Sequence, residues 1–225
     1  MEKYIRTLIV FYDTEISHKE IPLFRGAVLK SLGDKADVLY HNHTGEDTFR
    51  YSYPLIQYKR LNGKAAIVCI EEGIELVGQL LLELPISIMI GTREEVCRVE
   101  KISAKEVPFS MQDEYVSYRL HRWLPLNSKN YSLYQNTESL VERIQILERV
   151  LIGNILSFLK GVDIHLEEQL ELHITNITDQ RPTTYKNVKL MAFDIEFKTN
   201  LFLPQYIGIG KNASVGYGIL IKITK

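Results

Sequence analysis

The sequence is poor in cysteine and lacks a long uninterrupted run of apolar residues. Its two cysteines, Cys69 and Cys97, each lie inside a strand-like run, which argues against a disulfide framework and against a zinc site. The longest apolar region, residues 80–90, contains Glu83 and Pro85 and is too short to span a bilayer. These shortages argue against a disulfide-stapled secreted domain and against a membrane-spanning protein.

The first residues also lack the features of a secretory leader. Glu2 stands beside Lys3, and a short apolar strand follows at once without a small-residue cleavage site. We therefore expect a soluble, cytoplasmic protein with no membrane contact. With 225 residues, of which 45% are hydrophobic and 24% charged, the chain can form one large core or two cores of about 100 residues each.

Net charge is nearly absent, since the formal value is −1 at pH 7, but the charges are unevenly distributed. Residues 181–225 contain seven Lys or Arg against two acids, a local balance of +5. Residues 61–180 contain eleven basic and eighteen acidic residues, a local balance of −7. If a polyanion binds this protein, we expect the C-terminal segment to meet it.

The first half of the chain follows the order strand, helix, strand, strand, helix, strand. Asn62-Gly63 is a strong signal for a two-residue hairpin turn, and Gly33 fits the end of the first helix. The expected elements are strand 4–12, a helix from 17 to 32, strands 53–61 and 64–70, helix 74–84, and a strand that opens at 86–90 and continues as a bent ribbon to about 107. This order is that of the ferredoxin-like unit.

The second half repeats the plan loosely. Its longest helix is expected over 138–159, capped by Asn136 or Thr137 and ended by Gly161. The other expected elements are strand 115–124, strands 168–175 and 184–197, a turn region at 200–210 and strand 217–224. The pattern predicts an α+β protein with tandem ferredoxin-like (RRM-like) βαββαβ domains, residues 1–110 and 111–225, the second one degenerate.

A glycine-rich segment lies just before the last strand. Gly208, Gly210, Gly216 and Gly218 fall within eleven residues and enclose Lys211. Glycines allow a positive φ and close approach to a ligand, and free N–H groups beside a lysine suit a phosphate. The spacing is not that of a dinucleotide or P-loop motif, and no helix follows. A tight turn alone would need only one or two of the glycines.

Two histidines, His41 and His43, occupy the polar loop that follows the first helix. Histidine takes up and releases protons near neutral pH, so one could act as a general base and the other as a general acid. Tyr51 and Tyr53 follow closely. If the substrate is RNA, cleavage without a metal needs a base for the 2′-hydroxyl and an acid for the departing 5′-oxygen. It also needs a group that stabilises the charge on the pentacoordinate phosphorus.

Other interpretations of the histidine pair remain open. A metal site could add His18 and Asp47, but their spacing matches no known metal motif. The letters His-Asn-His also occur in a class of metal nucleases, whose hairpin and helix motif is absent from this sequence. An exposed loop without chemistry is the third alternative. We expect no metal and no cofactor.

The C-terminal pattern of glycine, apolar residue, glycine, five residues, glycine, apolar residue, glycine resembles the signature of the repeat-associated RNA-binding proteins of CRISPR systems. The preceding residues 197–204 also resemble the segment that leads into that loop. Repeat-cleaving endoribonucleases of this family are built from two ferredoxin-like units. In one of their branches, a His-x-His pair at this point looks like the active site, and a nearby tyrosine assists.

The resemblance implies a metal-independent endoribonuclease that cuts CRISPR repeat RNA in a precursor transcript to yield guide RNAs. It implies catalytic roles for His41, His43 and either Tyr51 or Tyr53. The implied RNA-binding residues are those of the C-terminal loop, namely Gly208, Gly210, Lys211, Asn212, Ser214, Gly216 and Gly218. RNA is the expected partner, and other CRISPR effector subunits or a second copy of the chain are further candidates.

Two other functions compete with the endonuclease. A non-catalytic RNA-binding subunit of a CRISPR interference complex would share the fold and the glycine-rich loop, but would not need two titratable side chains in one loop. A ferredoxin-like protein that binds only other proteins is the third alternative. The +5 balance of the C-terminal segment speaks against that alternative.

Overall fold

The computed structural model describes residues 3–31, 53–81 and 86–224. The chain divides into two compact units. The N-terminal unit comprises Ile5–Glu106 together with Ser214–Gly216. The C-terminal unit comprises Val107–Ala213, Tyr217–Lys225 and Met1–Tyr4. A short piece of the glycine-rich segment therefore belongs to the N-terminal unit.

The N-terminal unit is built around a four-stranded antiparallel sheet. Its elements are β1 (Lys3–Glu15), α1 (Ile21–Ser31), β2 (Ile56–Leu61), β3 (Lys64–Ile70), α2 (Gly73–Leu81), β4 (Ile86–Ile90), β5 (Arg93–Cys97) and β6 (Val99–Phe109). The strands of the main sheet are ordered β2-β3-β1-β6. With β6 as the fourth strand of the βαββαβ unit, this is the ferredoxin-like order, as the sequence predicts.

The turn between β2 and β3 is the one that the sequence predicts most directly. Asn62 has a φ of 50° and Gly63 a φ of 88°, and a tight hairpin turn of this kind requires both values to be positive. The turn sets the register Leu61↔Lys64, and pairing continues to Ile56↔Cys69.

The prediction of one bent ribbon from 86 to about 107 is wrong, although its first part, 86–90, is the strand β4. The chain turns back at Gly91, where φ is 67°, and β4 pairs with β5 as a separate two-stranded sheet. The fourth strand of the main sheet is β6 instead. A glycine that can adopt the left-handed conformation explains the reversal, although the alternating pattern on both sides of it is compatible with one long strand.

The C-terminal unit contains a second four-stranded antiparallel sheet. Its elements are β7 (Met111–Trp123), α3 (Ser128–Asn136), α4 (Leu140–Gly161), β8 (Leu172–Tyr185), β9 (Val188–Leu201) and β10 (Ile219–Lys222). The strand order is β10-β7-β9-β8. In residues 202–218, all of which the structure describes, no helix separates β9 from β10. The second ferredoxin-like domain therefore lacks one helix, as predicted.

The helix α4 begins at Leu140, two residues later than the expected start at 138. Ser139 is the N-cap residue, and its side chain accepts a hydrogen bond from the backbone N–H of Glu142. Asn136 and Thr137 do not cap it, because they close the preceding short helix α3, which the sequence pattern did not predict. Asn127 caps α3 by accepting from Asn130 N at 2.8 Å.

The strands β8 and β9 are longer than expected and form one continuous hairpin. Lys186 and Asn187 form its turn with φ values of 48° and 63°. Pro182 lies within β8, which is possible because β8 is the edge strand of its sheet and its outer side needs no hydrogen-bond donor. The core of the unit is aromatic, and its fully buried side chains include Tyr118, Trp123, Phe158, Phe193 and Phe197.

Candidate functional site

The glycine-rich segment is anchored to the C-terminal sheet by backbone hydrogen bonds. Gly208 forms an antiparallel bridge with Ile219, the first residue of β10. Ile209 N donates to Gly218 O at 2.7 Å, and Gly218 N donates to Arg122 O at 3.1 Å. The segment is thus folded back on itself and tied to the end of β7.

Three of the four glycines have a steric reason to be glycine. Gly210, Gly216 and Gly218 have φ values of 88°, 83° and 62°. A Cβ at Gly218 would lie 1.9 Å from the backbone oxygen of Ile209, and one at Gly210 would lie 2.6 Å from Asn154 Oδ1. At Gly218 the clash is with the backbone, and at Gly210 the Asn154 side chain would have to shift, so close packing together with the positive φ accounts for these glycines. Binding of a phosphate by their N–H groups is not needed to explain them.

The other predicted RNA-binding residues of the segment differ in exposure. Lys211 is exposed. Asn212 is half-buried with a φ of 59°, and among the described residues its buried Nδ2 has no hydrogen-bond partner. Ser214 is half-buried, and its carbonyl oxygen accepts from Tyr58 N at 2.8 Å. Lys211 therefore offers the exposed positive charge of the segment.

A bulge in β7 places Arg122 beside this segment. The register between β7 and β9 shifts between Leu120 and Trp123, and Arg122 has a φ of 53°. Such a positive φ is unusual for a residue other than glycine. The conformation is held by Asp194, whose Oδ1 accepts from Arg122 N at 2.6 Å. The guanidinium carbon lies 4.5 Å from the ring centroid of Tyr217, a cation–π arrangement.

Asp194 of β9 contacts polar and charged groups of the two neighbouring strands, β7 and β8. His121 Nδ1 lies 2.9 Å from Asp194 Oδ2, and Arg181 Nη1 lies 3.2 Å from the same oxygen. Partial burial alone would raise the pKa of this carboxyl. The hydrogen bonds from His121 and from the backbone of Arg122, with the charge of Arg181, outweigh it and lower the pKa to about 2. Asp194 is therefore an anion at any physiological pH.

The predicted catalytic residues are only partly covered by the structure. His41, His43 and Tyr51 lie outside the described residues, as does Asp47 of the alternative metal site. Tyr53 is described; it is buried, and its hydroxyl accepts from Gln57 Nε2 at 2.8 Å. Across residues 3–31, 53–81 and 86–224, no group of three or more His, Cys, Asp or Glu side chains is arranged to hold a metal ion.

The N-terminal sheet contains a fully buried lysine that no pattern in the sequence marks. Lys59 lies in β2, has 0% exposure, and follows closely on the segment that carries the two histidines. Burial lowers the pKa of its ammonium group to about 7, because removal from water disfavours the charged form. Alternation along β2 places Lys59 and Gln57 on the face opposite to Tyr58.

The lowered pKa of Lys59 predicts that the free energy of unfolding depends on pH in an unusual way. The folded pKa lies below the unfolded value of about 10.5, so folding releases a proton between about pH 7 and 10.5 and stability rises with pH in that window. Between pH 7 and about 9, the free energy of unfolding of the wild type should rise by on the order of 2 kcal/mol relative to Lys59→Met. Urea denaturation followed by circular dichroism at both pH values measures the difference.

An exposed lysine provides the control for this prediction. Lys101 of β6 is exposed, and Lys101→Met should keep the wild-type dependence of stability on pH. Equal slopes for the wild type and Lys59→Met would show that Lys59 is charged equally in the folded and unfolded chains, contrary to the expectation.

The site residues around Arg122 were only partly anticipated by the sequence. The run Arg119–Trp123 is basic and aromatic, which is compatible with RNA contact, but a strand that places Trp123 in the core explains the same pattern. Asp194 has no sequence signal, since it stands 72 residues from Arg122 in an ordinary alternating strand. The bulge that joins the two is visible only in three dimensions.

Two ferredoxin-like sheets, the second with a glycine-rich segment just before its last strand, define a tandem ferredoxin-like protein of α+β class. A model of the Cas6b N-terminal domain matches residues 3–108, and a model of the Cas6b C-terminal domain matches residues 110–223. The chain belongs to the Cas6b family. The resemblance to CRISPR repeat-processing endoribonucleases is thereby confirmed at the level of the family.

Two solved structures of Cas6b agree with this assignment. A crystal structure of Cas6b superposes with a TM-score of 0.85 at 28% identity, covering 98% of this chain and 100% of that one. A crystal structure of a CRISPR RNA processing endoribonuclease, Cas6b, gives a TM-score of 0.75 at 27% identity, covering 98% and 100%. An uncharacterised protein of Methanocaldococcus jannaschii is 31% identical over 152 residues, 65% of this chain and 99% of that protein.

A helix that spans a bilayer has about 20 consecutive, predominantly apolar residues. None of the helices in the described part of the chain is both long and apolar enough to cross a membrane. The longest, α4, has 22 residues and carries charged side chains along its length.

Proposed function

We propose that this chain is a metal-independent endoribonuclease that cuts CRISPR repeat RNA in a precursor transcript and so releases guide RNAs. The observation that carries the proposal is the match of the two Cas6b domain models to residues 3–108 and 110–223. It is supported by the likeness over 98% of the chain to a solved CRISPR RNA processing endoribonuclease. We further propose two functional domains, residues 1–110 with the histidines and residues 111–225 with the glycine-rich segment.

The proposed reaction is an internal transesterification. The 2′-oxygen of the nucleotide upstream of the cut attacks the adjacent phosphorus, and the bond from phosphorus to the 5′-oxygen breaks. One of His41 and His43 accepts the proton of the 2′-hydroxyl, and the other donates a proton to the departing 5′-oxygen. The products are a 2′,3′-cyclic phosphate and a free 5′-hydroxyl, so no water and no redox partner are consumed.

The tyrosines and the C-terminal segment have supporting roles in this proposal. Tyr51 or Tyr53 positions the scissile phosphate or stabilises its charge. The RNA backbone is held by residues of the glycine-rich segment, namely Gly208, Gly210, Lys211, Asn212, Ser214, Gly216 and Gly218. The exposed Lys211 is the member whose charge acts directly on a phosphate.

The mechanism predicts that cleavage does not require a divalent ion. Purified protein should cut a labelled transcript containing CRISPR repeats at the same rate in excess EDTA as in magnesium, because histidines replace the metal in both proton transfers. Gel electrophoresis measures the rate. Treatment of the upstream product with acid and phosphatase identifies its terminal cyclic phosphate.

Two outcomes of this experiment would overturn the mechanism. One is loss of cleavage in EDTA that is restored by a divalent ion, which would indicate a metal-activated water as the nucleophile. The other is an upstream product with a free 3′-hydroxyl, because 2′-hydroxyl attack cannot produce that end. A protein that binds the transcript and never cuts it would instead support the non-catalytic RNA-binding subunit.

A further inference from the structure

The hairpin of β8 and β9 extends past the rest of the C-terminal sheet. The register between β7 and β9 ends at the pair Trp123↔Phe193. Beyond it, β8 and β9 continue to pair with each other from Arg181↔Ala192 to Tyr185↔Val188. These five pairs correspond to about 15 Å of two-stranded ribbon. We call residues 181–192, with the turn at their tip, the arm.

The arm is positively charged and has no acidic residue of its own. Its charged members are Arg181, Lys186 and Lys189, a balance of +3 within twelve residues. The arm therefore carries a large part of the +5 balance of the C-terminal segment. Residues 181–192 are thus a local concentration of positive charge in a chain whose net charge is −1.

The two faces of the arm differ. On one face, Thr183 and Tyr185 meet Tyr217: the hydroxyls of Thr183 and Tyr217 are 3.5 Å apart, and the rings of Tyr185 and Tyr217 are 6.0 Å apart. The other face carries Thr184, and Lys189 directly opposite it, both exposed. Lys186 is exposed at the turn.

The base of the arm is fixed in place by ionic contacts. Arg181 contacts the carboxylates of both Asp179 and Asp194. Asp194 in turn accepts from the backbone of Arg122 in β7. The guanidinium of Arg181 therefore forms ion pairs at the base of the arm. Lys186 and Lys189 lie towards the other end of the ribbon, whose direction these contacts fix.

We propose that the arm binds the sugar–phosphate backbone of the RNA substrate through Lys186 and Lys189. This inference rests on the proposed function, because it takes RNA as the polyanion. The outward face carries Lys189 and no aromatic side chain, and Lys186 is exposed at the turn, where its Nζ lies 5.9 Å from the ring centroid of Tyr185. Exposed lysines on a face without aromatic rings suit contacts with phosphates and not the stacking of bases. Arg181 and Asp194 are positioning residues, because they orient the arm without touching RNA.

The test removes the two charges without disturbing the fold. Lys186→Asn fits the turn, because asparagine tolerates the φ of 48° found there, and Lys189→Gln replaces an exposed side chain. The matched control is Lys101→Gln with Lys105→Gln, two exposed lysines of a single strand in the N-terminal unit. Affinity is measured by fluorescence anisotropy at several salt concentrations. The probes are two labelled RNAs with 2′-fluoro sugars, one of repeat sequence and one scrambled.

We expect the arm variant to bind both RNAs roughly tenfold more weakly than the wild type at low salt. The slope of log affinity against log salt should fall by about 1.4, which corresponds to two lost phosphate contacts on a single strand. The control variant should keep the wild-type slope. Circular dichroism and the melting temperature establish that the variants are folded.

The possible failures are distinguishable. If the wild type cuts repeat RNA and the arm variant binds like the control, the arm inference is wrong and the proposed function stands. If weakening is confined to the repeat sequence, the arm reads bases and the phosphate assignment is wrong. If the wild type shows the arm-dependent slope but never cuts RNA, the inference stands and the proposed endonuclease fails. A wild type that binds neither RNA overturns both.

Discussion

Replacing His41 and His43 together with alanine should reduce the rate of repeat-RNA cleavage at least about a thousandfold. General acid–base catalysis by a positioned side chain contributes roughly 10²- to 10⁴-fold, and the double variant loses both the base and the acid. Affinity for RNA should change little, because Lys211 and the rest of the glycine-rich segment, to which the proposal assigns RNA binding, are unchanged in this variant. Single-turnover cleavage with enzyme in excess measures the chemical step directly.

The control for this prediction is a pair of histidines elsewhere in the chain. His165 and His173 are exposed in the C-terminal unit, and their double alanine variant should cut at close to the wild-type rate. Affinity is compared on an RNA with a 2′-deoxy sugar just upstream of the cut, which should bind but not react. Undiminished cleavage by His41→Ala/His43→Ala would remove the two histidines from the mechanism.

Gly218→Ala should destabilise the C-terminal unit by on the order of 4 kcal/mol. The new methyl group would lie 1.9 Å from the carbonyl oxygen of Ile209, and alanine would also have to adopt a φ of +62°. Because that oxygen belongs to the backbone, it can move only if the hydrogen bond from Ile209 N to Gly218 O is distorted. Urea denaturation followed by the fluorescence of Trp123, the single tryptophan, reports on this unit.

A glycine in the same unit provides the opposite expectation. Gly153 lies inside α4, and a Cβ added there meets nothing within 4 Å. Gly153→Ala should therefore leave the protein intact or stabilise it by about 0.5–1 kcal/mol, through the higher helix propensity of alanine. If Gly218→Ala were as stable as the wild type, close packing would not explain why the segment needs a glycine at this position.

Much of the fold follows from local signals in the sequence. The hairpin at Asn62-Gly63 and the long helix α4 are both confirmed, because a turn with positive φ and a helical period are properties of neighbouring residues. The β4–β5 hairpin was mistaken for one ribbon because only the backbone at Gly91 shows the reversal. The helix α3 was missed because its nine residues are largely polar and exposed.

The candidate site also has one part that the sequence predicts and another part that only the structure shows. The glycine-rich segment is recognisable in the sequence because its positive φ values favour glycine at particular positions. The cluster around Asp194 has none, since a bulge brings together groups that are ordinary in their own strands. Lys59 likewise looks like any polar residue in a strand, and only its burial in three dimensions distinguishes it.

The membership of Ser214–Gly216 in the N-terminal unit has a consequence for synthesis of the chain. Tyr58 N donates to Ser214 O, and Tyr58 also forms a parallel bridge with Val215. A ribosome releases residues in order, so the first unit emerges long before the piece that completes the edge of its sheet. Until residue 216 has left the exit tunnel, that edge stays unpaired at Tyr58, and the first half of the molecule is finished only when nearly all of the second half has been made.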